Sequence, residues 1–208
     1  MTKREPWADT VTSALKSAIQ QTALAAYANA CDLMKDAKIL WREDRYARAG
    51  VLAILSEEEF SKAFILLVCA QQNRWGSDIF DALLRHPEKQ GVAAGMREYF
   101  EWFVDNYNGA MKMSQFSFVP ITPAILPDQE RFEELTTNAK KVIKHQKKER
   151  YKQSLLYIGF DRKGKVICDP KKADKTQIEN CFKEAEKFKE VVEIAFSGQI
   201  PGFSNILI

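Results

Sequence analysis

Histidine is almost missing from this chain: only His86 and His145 occur among its 208 residues. Sites built on several imidazoles have little to draw on, and no structural zinc or other metal site is expected. Cys31, Cys69, Cys168 and Cys181 never fall at Cys-x-x-Cys spacing. They read as small hydrophobes in a reducing compartment. The nine glycines form neither a phosphate loop nor a nucleophile elbow, so nucleotide-triphosphate chemistry is not indicated and no cofactor is expected. No apolar run reaches the roughly eighteen residues that a membrane-crossing helix needs. The polar residues 1–9, with Pro6 and Trp7, do not read as a leader. A cytoplasmic protein with no membrane partner is the expectation. The net charge of +3 is too small to imply a nucleic-acid partner by itself, so any basic surface must be local.

What the chain has is helical periodicity over 46% hydrophobic residues, enough for one sizeable core. Ala26, Ala30, Leu33, Ala37 and Leu40 recur every three or four residues, which predicts a helix over 11–41, broken near Gln20 and Gln21. A second helix runs to about Asn73, a shorter one covers Ile79 to Leu84, and Pro87 suits the first turn of a fourth, with His86 near its cap. Ala93, Met96, Phe100, Phe103 and Tyr107 mark that helix's buried face. Three prolines in 116–127 predict an extended connection. A helix follows over 129–148, then a hairpin from 155–160 and 165–168 turning at Gly164, then a last helix with Ile178, Phe182, Ala185, Phe188, Val192 and Ala195 on one face. Gly198, Pro201 and Gly202 end it in a loose tail.

Charges stand out in the second helix, which is otherwise apolar and rich in small residues. Tyr46, Ala49, Ala53, Phe60, Ala63 and Leu67 share its buried stripe. Glu58 and Lys62 lie one turn apart and can pair. Glu59 falls at the stripe's edge beside Leu55 and Leu66, where a carboxylate must be paired or protonated. Either an ion-pair network or a site follows.

In order along the chain, Asn29-Ala30 with Leu33 and Asp36-Ala37, Arg45-Tyr-Ala-Arg48-Ala49, Leu52-Ala-Ile-Leu55 with Glu58-Glu59 and Lys62-Ala63, His86 with Lys89, the stretch Leu156-Tyr157-Ile158-Gly-Phe, and Asp169-Pro170 resemble the AbiV abortive-infection family of the HEPN superfamily. The resemblance spans about residues 20–195. It implies a mainly α fold: a HEPN-like helical bundle over 1–150, then a short C-terminal β-hairpin and terminal helix over 151–208 packed on the bundle. It also implies a phage-defence effector that arrests host growth by binding or cleaving RNA or blocking translation. A homodimer with facing polar sites, and a phage protein as activator, complete the picture. The small-residue seam from Ala23 to Ala37 suits such an interface. Catalytic HEPN ribonucleases carry an Arg followed four to six residues later by a His. Here His86 directly follows Arg85, and His145 lies fourteen residues past Arg131. A non-catalytic binding or scaffold protein that recognises a phage protein or nucleotide is the alternative.

Glu59, Lys62 and His86 are the catalytic candidates for a metal-independent ribonuclease, His86 as acid or base and the cations as phosphorane stabilisers. Arg48, Glu58, Lys89, Asn29 and Asp36 are candidate binding residues lining the same cleft. The alternatives stay open: a helix cap for His86, a register-setting role for Asn29 and Asp36. Lys144, Lys147 and Lys148 belong to a basic run over 140–152, read either as an RNA-contacting strip or as a helix end complementing its dipole.

Overall fold

The computed structural model of the chain describes residues 11–114 and 129–197. The expected connection over 116–127, the residues 1–9 and the tail from Gly198 lie outside the described residues. The fold is mainly α: α1 (Ser13–Arg42), α2 (Tyr46–Gln72), α3 (Ser77–Leu84), α4 (His86–Ser114), α5 (Gln129–His145), α6 (Lys147–Leu156), β1 (Gly159–Phe160), β2 (Val166–Cys168) and α7 (Lys175–Ser197). Among the described residues no helix is long and apolar enough to cross a membrane.

Thr12 starts α1, its hydroxyl accepting the Leu15 amide at 3.2 Å. The helix runs unbroken through Gln20 and Gln21, where an interruption was expected; both lie exposed and glutamine is a good helix former. Ala23, Ala26, Ala30 and Ala37 are buried, and the Ser56 hydroxyl of α2 donates to the Ala30 carbonyl at 2.8 Å. Small side chains thus bring the α1 and α2 backbones close. The seam expected to serve a homodimer is used inside the chain.

Around α2 stand α1, α4, α6 and α7. Toward its C-terminal half, Phe60 and Phe64 meet Phe188, Val191 and Val192 of α7, with the Phe64 and Phe188 rings 6.1 Å apart. Toward its start, Ile54 packs on Leu155 of α6 and Ile178 and Cys181 of α7. Each large apolar side chain so enclosed contributes about 1.5–3 kcal/mol before entropy is counted. Asn73, left-handed at φ 53°, ends α2 with its amide on the Cys69 carbonyl.

The helix expected over 129–148 stops at His145. Gln146 takes a left-handed conformation (φ 48°), and a new helix, α6, runs on to Leu156. Leu155 and Leu156, expected in the hairpin, therefore belong to α6, and the sheet pairs only Gly159 with Cys168 and Phe160 with Val166. Gly164 (φ 76°) permits the turn, whose Asp161 carboxylate accepts the Lys163 and Lys165 amides at 2.8 and 2.9 Å. In α7, Ile178, Ala185, Phe188, Val192 and Ala195 are buried as the periodicity predicts.

Packing of α4 on α5 depends on missing side chains. A Cβ at Gly91 would lie 2.5 Å from Ile143 Cγ1 and 3.2 Å from the Ala139 carbonyl, and one at Gly95 3.2 Å from Ala139 Cβ. Gly91→Val should therefore cost about 1–3 kcal/mol, read as a lower denaturation midpoint at unchanged slope. An unchanged midpoint would show that α5 can move away freely.

Candidate functional site

Glu57, Glu58 and Glu59 follow one another on α2, and a helix turns about 100° per residue, so the three carboxylates leave in three directions. Glu57, only 1% exposed, accepts from Arg97 of α4 and Lys148 of α6. Lys148 also donates to Glu184 of α7 at 2.6 Å, with Arg97 at 3.8 Å from the same carboxylate. Two acids and two bases thus close on each other. Burial alone would raise the Glu57 pKa, but the Lys148 and Arg97 charges outweigh it and hold the carboxyl below its usual range. Burial likewise opposes charge on Lys148 and Arg97, yet Glu57 and Glu184 raise both above their ordinary values.

Glu58, 2% exposed, accepts from Gln90 Nε2 at 2.7 Å and from Lys152 Nζ at 2.9 Å on one oxygen, and meets His86 Nδ1 on the other. An ionised carboxylate only accepts, so Nδ1 carries the proton and a neutral His86 presents a bare Nε2. The imidazole is 47% exposed, which leaves it open to a ligand while its orientation is held from below. Glu149 of α6 sits beside it, 2.7 Å from Lys152 Nζ. Lys89, one turn after His86, is buried and makes no ion pair among the described residues. Its pKa is lowered by burial first, then by the Lys62 and Lys152 charges, against the pull of Glu58 and Glu59.

Glu59 accepts from Lys62 at 2.5 Å and from Asn29 of α1 at 3.2 Å. Lys62 was expected to pair with Glu58; it pairs with Glu59 because Glu58 is turned toward α4 and α6. The structure therefore gathers Glu58, Glu59, Lys62, His86, Lys89 and Asn29. Arg48 is not among them: it is exposed on α2, ten residues or roughly 15 Å before Glu58. Asp36 also stays exposed, with no role in the cluster. The basic run divides at Gln146, leaving Lys144 and Lys147 exposed and turning Lys148 and Lys152 inward. Lys148 is thus an internal counter-ion, not part of a surface strip.

Sequence reasoning missed Glu57, Gln90, Arg97 and Glu184, and read Glu149 and Lys152 only as members of the basic run. A signal for Glu57 was present: Gly50, Val51, Phe60, Ala63 and Leu66 place small or apolar residues on every side of α2, the mark of a helix enclosed all round, where any charge needs a partner.

Glu58, His86 and Glu149 offer ligand atoms within 4.8 Å of one another, a donor set suited to a divalent cation. The Lys152 ammonium already bridges both carboxylates, so such an ion must displace it.

A family model described as AbiV, HEPN_AbiV, matches residues 18–190. No curated protein and no solved structure matches the chain.

The Glu57 cluster sets a pH window. Held low, Glu57 adds stability that is present above the usual carboxylate range and lost as pH falls through its lowered value; held high, Lys148 and Arg97 add stability lost only as pH rises past the lysine range. The melting temperature should therefore be flat through neutral pH and fall in acid. Glu57→Gln should cost about 3–5 kcal/mol at neutral pH and shrink the acid limb, whereas Glu59→Gln should cost about 1 kcal/mol or less. Equal losses in thermal melts would contradict this ranking.

Proposed function

The chain belongs to the AbiV family of abortive-infection phage-defence proteins, and on that premise we propose that it arrests its host by acting on RNA through the Glu58–His86 pair. The observation that carries the reading is a half-exposed imidazole held by a fully buried carboxylate, with cations on both sides. His86 Nε2 takes the proton of a ribose 2′-hydroxyl, the oxygen bonds to phosphorus, and the bond from phosphorus to the 5′-oxygen breaks. Lys89, whose lowered pKa eases proton release, donates a proton to the departing 5′-oxygen, and Lys62 offsets charge on the phosphorane. No metal enters this scheme. Lys144 and Lys147 hold the backbone phosphates.

A second reading is supported by the missing Arg-x4-6-His pattern: the same pocket binds RNA, a nucleotide or a phage activator protein without cleaving. Assembly as a homodimer in the cytoplasm belongs to both readings and rests on the family resemblance alone. Light scattering that finds only the 23.8 kDa monomer at micromolar concentrations would remove it.

Purified protein incubated with total cellular RNA, with and without phage lysate, separates the two. Under the catalytic reading His86→Ala lowers the cleavage rate by about 100-fold or more while RNA affinity stays nearly constant. Neutralising Lys144 and Lys147 weakens binding and lowers the salt slope by roughly one per lost phosphate contact. If His86→Ala protects cells against phage as well as the parent does, catalysis is excluded and the binding reading replaces it.

A further inference from the structure

The Arg45-Tyr-Ala-Arg48 stretch takes no part in the Glu58 cluster, yet it borders a cleft of about 690 Å³ between the start of α2, the end of α6 and the loop before α7. Leu155, Leu156 and Ile158 give that cleft an apolar wall. Leu156 and Ile158 are 44% and 63% exposed, large values for side chains of this kind, so the wall is uncovered. Around it stand Arg45, Arg48 and Lys171, all exposed and none in an ion pair among the described residues.

Two acids share the rim, each with a hydrogen bond of its own, and the cations outnumber them. Asp44 accepts from the Tyr46 hydroxyl, and Asp169 accepts the Lys171 amide at 3.0 Å as the cap of the turn Pro170–Lys172. What remains available is apolar surface framed by unpaired cations. We propose that this cleft docks an acidic segment of a partner protein, an aliphatic or aromatic side chain seated against Leu156 and Ile158 and its flanking carboxylates meeting Arg45, Arg48 and Lys171.

The charge pattern selects that occupant over two others. A second copy joined about a two-fold axis sets the same cations against each other. Single-stranded nucleic acid draws on open aromatic faces, and the ring in this cleft is taken: Lys175 Nζ lies 3.8 Å over Tyr46, and Trp41 packs against it at 4.8 Å. The docking surface is separate from the Glu58–His86 pair and stands whether or not that pair acts on RNA.

The test uses the full chain and a fluorescein-labelled peptide in which a leucine–phenylalanine pair is flanked by glutamates, followed by fluorescence anisotropy. Saturable binding that weakens with added salt is expected. Arg48→Glu should weaken it at least ~tenfold through lost attraction and new repulsion. Ile158→Ser should weaken it with the salt dependence kept, since only the apolar contact is removed. Both positions are exposed, and unchanged melting curves establish that the variants fold. The proposal is overturned by any of four results: no binding, equal binding of the lysine-flanked peptide, tighter binding of labelled oligouridylate that Arg48→Glu abolishes, or a dimer of the parent chain that Arg48→Glu dissolves.

Discussion

Two carboxylates buried side by side in the middle of α2 are the constraint around which the molecule is arranged. Removing an ionised carboxylate from water costs several kcal/mol even after relaxation, so neither Glu57 nor Glu58 can be enclosed unless cations arrive with it. They arrive from elsewhere in the chain. Arg97 comes from α4 and Lys148 from α6 for Glu57, and Lys152 from α6 for Glu58, whose other partners, His86 and Gln90 of α4, are hydrogen-bonding groups. Apolar packing brings these helices to α2, but it would tolerate small rotations. The ion pairs add fixed points, tying α4 to α2 at Arg97 and α6 to α2 at Lys148 and Lys152.

The same arrangement gives His86 its chemical character. A histidine at a helix start is ordinarily a cap or a solvated ring. Here the carboxylate beneath it fixes both tautomer and orientation, and the neighbouring Lys89 is kept out of water. The cluster and the core are therefore not separate parts of the molecule: one oxygen of Glu58 is held by Gln90 and Lys152 and the other meets the half-exposed imidazole.

Much of this was legible in the residues. Helical periodicity located α2, α3 and α7 closely, the ordered motifs indicated the family, and the charges within an apolar helix pointed to the cluster. Three things were not legible. The break at Gln146 lies inside a lysine-rich run that reads as one continuous helix, because glutamine carries no signature of a left-handed residue. Once that break shifts the helical phase, no periodic count can tell inward Lys148 from outward Lys144. Glu57 escaped because it was judged against a single buried stripe, whereas α2 is covered on nearly every side. The choice of Lys62 between Glu58 and Glu59 depended on where Glu58 was drawn by α4 and α6, which local spacing does not contain.

The fan of three successive glutamates also bears on how such a chain can change over generations. Because adjacent positions answer to different partner residues, an insertion or deletion of one residue in α2 would hand each carboxylate to the wrong neighbours, and no single compensating substitution could repair all three. Length variation should therefore be confined to the connections, and α2 should drift by replacement alone. Reversal of charge at position 57 requires matched changes at 97, 148 and 184, on three other helices, so that quartet should be inherited as a block.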